Sequence, residues 1–145
     1  MDFIDAIREL SARIPKQIGH IQTEEATKNA FVMPFINILG YNVFDPTEVT
    51  PELNADVGVK KGEKVDYAIL KDGKPIMLFE CKWHGADLAK EHASQLYRYF
   101  SVTEARFGVL TNGMCTGFTR ILMLRTKWMR SRSLSSTCLM CANKI

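Results

Sequence analysis

No apolar run in this chain of 145 residues approaches the ~20 residues of a bilayer-spanning helix, so no membrane association is expected. The opening stretch MDFIDAIREL carries acids where a secretory leader has an apolar core, and a cytoplasmic setting is the expectation. A P-loop, G-x-x-x-x-G-K-[ST], is missing, so these residues offer no nucleotide-driven motor of their own. Cysteine is scarce: Cys81 stands alone before residue 114, and Cys115, Cys138 and Cys141 follow it. The Cys138–Cys141 pair has zinc-ligand spacing, but a structural zinc needs four ligands and only Cys115 remains nearby. Acids are absent from residues 114–145, which hold six bases, whereas residues 1–113 hold 13 bases against 16 acids. The rest is ordinary. With 46% apolar and 24% charged residues, the chain is suited to one globular domain with a hydrophobic core.

Phe3, Ile4, Ile7, Leu10 and Ile14 form a helical stripe that Pro15 is expected to end. Thr23 is a candidate N-cap, with Glu24 and Glu25 in the first turn where the helix dipole favours acids. This second helix should run to Leu39, kink at Pro34 and stop at Gly40. Short extended pieces follow, then a loop over residues 54–61. The segments KVDYAIL (64–70) and PIMLFECK (75–82) read as the two strands of a hairpin around Lys71-Asp72-Gly73. Residues 87–100 read as a helix and RFGVLT (106–111) as a buried strand closed by Asn112-Gly113.

The hairpin carries the chemistry. Glu80 and Lys82 are two residues apart on one strand and so share a face, while Val65, Tyr67, Ile69, Met77, Phe79 and Cys81 take the opposite, core-side face. A two-residue turn in plain register would set Asp66 against Phe79, on the wrong face. A three-residue loop, or a bulge of equal effect, would set it on the Glu80 face, opposite Leu78. Two converging carboxylates repel unless a proton or cation lies between them. Their hard oxygens suit Mg²⁺, which makes water a better nucleophile at neutral pH. Lys82 beside them can hold a phosphate oxygen or orient the attacking water. That set is sufficient for phosphodiester hydrolysis. A solvated face of alternating charges is the plainer reading, but the apolar run Ile76–Phe79 leading into Glu80 argues against it. The helix that follows offers Gln95 and Tyr99 at i, i+4. His84 is read as a solvated loop residue and Trp83 as packing. Lys60, Lys61 and Lys64 form a basic cluster suited to backbone phosphates or simply to solvent.

The V-D-Y…E-C-K pattern followed by Q-L-Y-R-Y resembles the PD-(D/E)xK nuclease superfamily. Within it, TEEATKNAFVMPFINILGYNVFDPTEV, GEKVDYAILKDGKPIMLFECKW and FGVLTNG are similar to segments of the N-terminal nuclease domain of the R subunit of type I restriction enzymes. The resemblance implies an α/β fold with a restriction-endonuclease-like αβββαβ core, a mixed sheet flanked by helices. It implies Mg²⁺-dependent cleavage of DNA, with specificity and methylation subunits as partners. It assigns the metal to Asp66 and Glu80, with the Cys81 carbonyl as a further ligand, and gives Lys82 the catalytic role. Gln95 would order the site, and Tyr99, Lys64 and Lys61 would contact DNA. The family's first-helix acid maps to Glu24, with Glu25 as the alternative register. A catalytically silent DNA-binding or assembly module, or a truncated remnant, would share all these segments.

The resemblance covers about residues 15–113, so a nuclease-like domain is expected over 1–113. After Asn112-Gly113 the family continues with a strand like V-Y-R-F-Y-T-D-L-D, where this chain reads MCTGFTRIL. Back-translated from the third base of the Met114 codon, with suitable wobble choices, the tail spells VYRFYTDLDAPNKMDEKPFLEFD. A frameshift at Gly113 would explain the missing acids and the added cysteines of residues 114–145 together.

Overall fold

The computed structural model describes residues 1–54, 64–87 and 94–113. The loop expected over 54–61, Lys61, the start of the helix expected from residue 87, and the tail therefore lie largely or wholly outside the described residues.

Helix α1 spans Phe3–Gln17, capped by Asp2, whose carboxylate accepts the Asp5 N–H at 2.9 Å. It buries Ile7, Leu10 and Ile14. Pro15 does not end it. The ring lies in the last turn, where it removes one donor, and the Ile18 N–H still reaches the Ile14 carbonyl. A 3₁₀ turn, Ile18–His20, leads on to the second helical stretch.

Thr23 caps that stretch as expected, its hydroxyl accepting the Ala26 N–H at 3.0 Å. The helix has three parts: α2 (Glu24–Thr27), a π-turn (Lys28–Val32) and α3 (Met33–Ile38). The wide turn ends two residues before Pro34, whose missing N–H and bulky ring disrupt a regular α-ladder. Gly40, at φ +97°, closes α3 with a Schellman pair: Tyr41 donates to the Ile36 carbonyl and Gly40 to that of Asn37.

Four strands follow in the order β1-β2-β3-β4: Val49–Leu53, Val65–Lys71, Lys74–Cys81 and Phe107–Thr111. The first three are antiparallel neighbours, and β4 lies parallel to β3 after a crossover through α4 (Ser94–Val102). The fold is α/β with a mixed four-stranded sheet, and its described elements run α1, a 3₁₀ turn, α2, a π-turn, α3, β1, β2, β3, α4, β4. No helix among the described residues is long and apolar enough to cross a membrane.

Both faces of the sheet are covered. Tyr67, Ile69, Phe79, Cys81 and Val109 pack on Val32 and Ile36 of the helical layer, with Met77 at the margin. Ala68, Leu78 and Leu110 pack on Leu96, Tyr99 and Phe100 of α4. The expected core face is thus correct except for Val65, which joins the α4 side together with Leu53. Glu52, between the pairs Pro51–Tyr67 and Leu53–Val65, is at φ +50°, a left-handed conformation that breaks the alternation of side chains.

Candidate active site

The site is built at the carboxyl-terminal end of β3. Asp72 and Gly73, at φ +52° and +73°, form a two-residue turn of the I′ kind, and Lys71 pairs with Lys74. The three-residue loop is therefore not what forms. The equivalent bulge is: the register shifts between Ile69 and Leu70, so Leu70 pairs with Pro75 but Ile69 with Met77. Pro75 has no N–H to give the ladder, which makes this end of the hairpin the natural place for an irregularity. The last ladder pair is Tyr67–Phe79, and the same register carried one residue further sets Asp66 level with Glu80. They stand opposite each other, one step nearer than the diagonal arrangement expected from the sequence.

Burial makes this pair costly. Glu80 is 6% exposed. Its Oε1 lies 3.0 Å from Lys82 Nζ, and its buried Oε2 has no hydrogen-bond partner among the described residues. Burial is the main cause that pushes the Glu80 carboxyl above its ordinary range; the charges of Asp66 and Glu24 add to it, and Lys82 opposes it. Asp66 uses both oxygens. Oδ2 accepts the Cys81 N–H at 2.6 Å, and Oδ1 lies 2.6 Å from the ammonium of Lys28. Lys28 opens the π-turn, and its Nζ also lies 3.4 Å from Glu25. Burial works to lower the Lys28 pKa, but the hydrogen bond and charge of Asp66, with Glu25, overcome it and raise it, so the ammonium stays charged.

The loop after Lys82 is tied down from two sides. The Lys82 N–H donates to the Thr111 carbonyl at 2.8 Å. The His84 N–H donates to Thr27 Oγ1 at 3.2 Å, and its Nε2 lies 2.8 Å from the Ile21 carbonyl. Asn112 Nδ2 donates to the carbonyls of His84 and Ala86. Gly113, at φ +71°, lets this turn press against the π-turn, since a Cβ there would lie 2.8 Å from that of Phe31.

Asp66, Glu80 and Lys82 are thus brought together, as the sequence pattern suggests. Glu24 lies within electrostatic reach of Glu80, whereas Glu25 pairs with Lys28. The Cys81 thiol is buried among apolar side chains, which pushes its pKa up, so only its backbone remains as a donor to a metal. Tyr99 is fully buried in the α4 cluster. Gln95 lies on α4, and Lys64 is half exposed, 3.3 Å from Glu52. His84 is not a solvated loop residue, because its ring is held by the Ile21 carbonyl. Sequence reading missed Lys28, Thr27 and Asn112. The one available signal was the i, i+4 spacing of Lys28 from Glu24, which usually marks a solvated helix face.

Among the described residues no group of three or more His, Cys, Asp and Glu side chains gathers as a metal cage. The donor set is two carboxylates, of which one keeps a buried oxygen without a partner. Hard oxygens in that number fit Mg²⁺, which retains much of its water and needs no closed protein cage.

The family model for the type I restriction enzyme R protein N terminus (HSDR_N) matches residues 23–132. The chain belongs to this family. The match begins at the Thr23 cap and takes in Lys28, all four strands, α4 and every residue of the site, leaving α1 outside. The R-protein match also continues past Gly113 to residue 132. No curated protein and no solved structure matches this R-protein relative.

Proposed function

We propose that this R-protein N-terminal domain is a Mg²⁺-dependent DNA endonuclease that hydrolyses phosphodiester bonds. The observation that carries the reading is the buried Oε2 of Glu80, without a partner among the described residues, on a carboxylate level with Asp66 whose Oε1 meets Lys82. An unpaired buried carboxylate oxygen is expensive, and a cation is what would repay it.

Asp66 and Glu80 would hold the ion, with the Cys81 carbonyl as a further ligand. When bound, Mg²⁺ supplies positive charge to the phosphate oxygens as negative charge develops there. Lys82 would present its ammonium to a phosphate oxygen or to the attacking water. Gln95 orders the site from α4, and Glu24 is the first-helix acid. Lys64 and Lys61 would meet backbone phosphates, a contact weakened by salt. DNA is the substrate, and specificity and methylation subunits of a restriction complex are the partners, in a cytoplasmic setting. Residues 114–145 are proposed to be a frameshifted or non-family tail, against which the family match to residue 132 counts; sequencing the gene across the Gly113 codon decides it, and one intact frame shared by related genes refutes it.

A catalytically silent module is the competing reading, and one observation favours it: both Asp66 oxygens are already engaged by the chain itself. Calorimetric Mg²⁺ titration with plasmid nicking on the same samples separates the two. Binding and nicking that both disappear in Glu80→Ala support the nuclease. A folded wild type that neither binds Mg²⁺ nor nicks DNA refutes it.

A further inference from the structure

The cation that the carboxylate pair needs is partly present already, in the form of Lys28. Its side chain is 14% exposed, reaches Asp66 from a different element, and lies at ion-pair distance from two acids of unlike surroundings. Asp66, 15% exposed, is the inner partner at 2.6 Å, and Glu25, 71% exposed, is the outer partner at 3.4 Å. A divalent ion shared by Asp66 and Glu80 needs an Asp66 oxygen. Oδ2 is held by a backbone N–H of the central strand, which cannot leave without breaking the site's own frame. Among the described residues, Oδ1 is held by the Lys28 side chain, which can move.

We propose that Lys28 is a latch: it occupies Asp66 Oδ1 while the site has no metal, and swings to Glu25 when a divalent cation binds. This rests on the metal reading of Asp66 and Glu80 given above. The exchange keeps the ammonium paired throughout, so its removal from Asp66 does not strand a charge in a half-buried place. It also prevents Asp66 and Glu80 from facing each other as two bare anions when metal is scarce. Lys28 is therefore a positioning residue, and it sets the metal concentration at which the site fills.

The test uses the full chain. Mg²⁺ binding is measured by calorimetry on wild type, Lys28→Met and Asp66→Asn, and the ¹⁵N resonance of the Lys28 ammonium is followed in wild type during the same titration. Removing the competing cation should tighten Mg²⁺ binding by roughly tenfold in Lys28→Met, and Asp66→Asn should abolish it. The Lys28 resonance should move with the calorimetric midpoint. Wild type that binds Mg²⁺ while the Lys28 resonance stays fixed overturns the latch, as does Lys28→Met binding no more tightly than wild type. If Lys28→Met does not fold, the resonance on wild type decides alone. Absence of Mg²⁺ binding in both wild type and a folded Lys28→Met overturns the metal reading itself, and the latch with it.

Discussion

Asn112 donates from Nδ2 to the His84 carbonyl at 3.3 Å and so ties the end of β4 to the loop that follows Lys82. The same nitrogen reaches the Ala86 carbonyl at 3.1 Å, and the His84 ring in turn meets the Ile21 carbonyl. The end of β3, with Glu80 and the following Lys82, is held by three separate segments. We expect Asn112→Ala to cost about 0.5–1.5 kcal/mol, because two part-buried backbone carbonyls lose their donor. Urea unfolding checks the cost. A midpoint unchanged from wild type would show that the tie contributes nothing.

Gly113 and Gly73 share a left-handed backbone, but their surroundings differ. A Cβ at Gly73 meets nothing within 4 Å, whereas one at Gly113 would collide with Phe31 and approach Thr27. Gly73→Ala should lose about 1–2 kcal/mol, from the backbone alone. Gly113→Ala should lose a further ~1–3 kcal/mol from overpacking. Thermal melts of the two variants give the comparison, and equal losses would refute the packing argument.

Glu52 holds a conformation that costs a non-glycine residue free energy, and its ion pair with half-exposed Lys64 returns little. Glu52→Gly is therefore expected to raise stability, by up to ~1 kcal/mol. A fall in the unfolding midpoint would mean that the Glu52 side chain has a role the geometry does not reveal.

Lys82 and Glu80 should be coupled in stability as well as in chemistry. Lys82→Met leaves a buried carboxylate without its cation, at a cost of about 2 kcal/mol after allowance for the exposed part of the pair. Adding Glu80→Gln should recover most of that loss, while nicking stays at least ~100-fold below wild type in both variants. A double variant no more stable than Lys82→Met would contradict the coupling.

Asp45 offers a pH test remote from the site. The Thr47 hydroxyl, at 2.6 Å, and then the Thr47 N–H, at 2.8 Å, stabilise its carboxylate and lower its pKa below the ordinary 3.8. Because the folded-state value lies below the unfolded one, this turn's contribution is present above pH ~4 and is lost as pH falls through the folded value. Carbon-detected NMR titration should show the depressed value in wild type and a return toward the ordinary one in Thr47→Val. A carboxyl that already titrates normally in wild type would refute it.

Much of this protein was settled by short-range chemistry that a sequence displays. The Thr23 cap, the Gly40 stop, the hairpin around Asp72-Gly73 and the grouping of Asp66, Glu80 and Lys82 each depend on residues near one another in the chain, and so does the family resemblance. Tertiary structure decided the rest. Pro15 stays inside its helix because one lost hydrogen bond in a last turn is cheap. Asp66 stands level with Glu80 because a bulge beside Pro75 cancels the one-residue offset of the tight turn. Glu80 is buried, at 6% exposed, where alternation alone would leave a charged face to solvent. Tyr99 is core, and His84 is a strut, for the same reason: their partners come from distant segments. Lys28 is the clearest case. Nothing in its local sequence separates it from a solvated helix lysine, and only the packing of the π-turn against β2 makes it the cation beside Asp66.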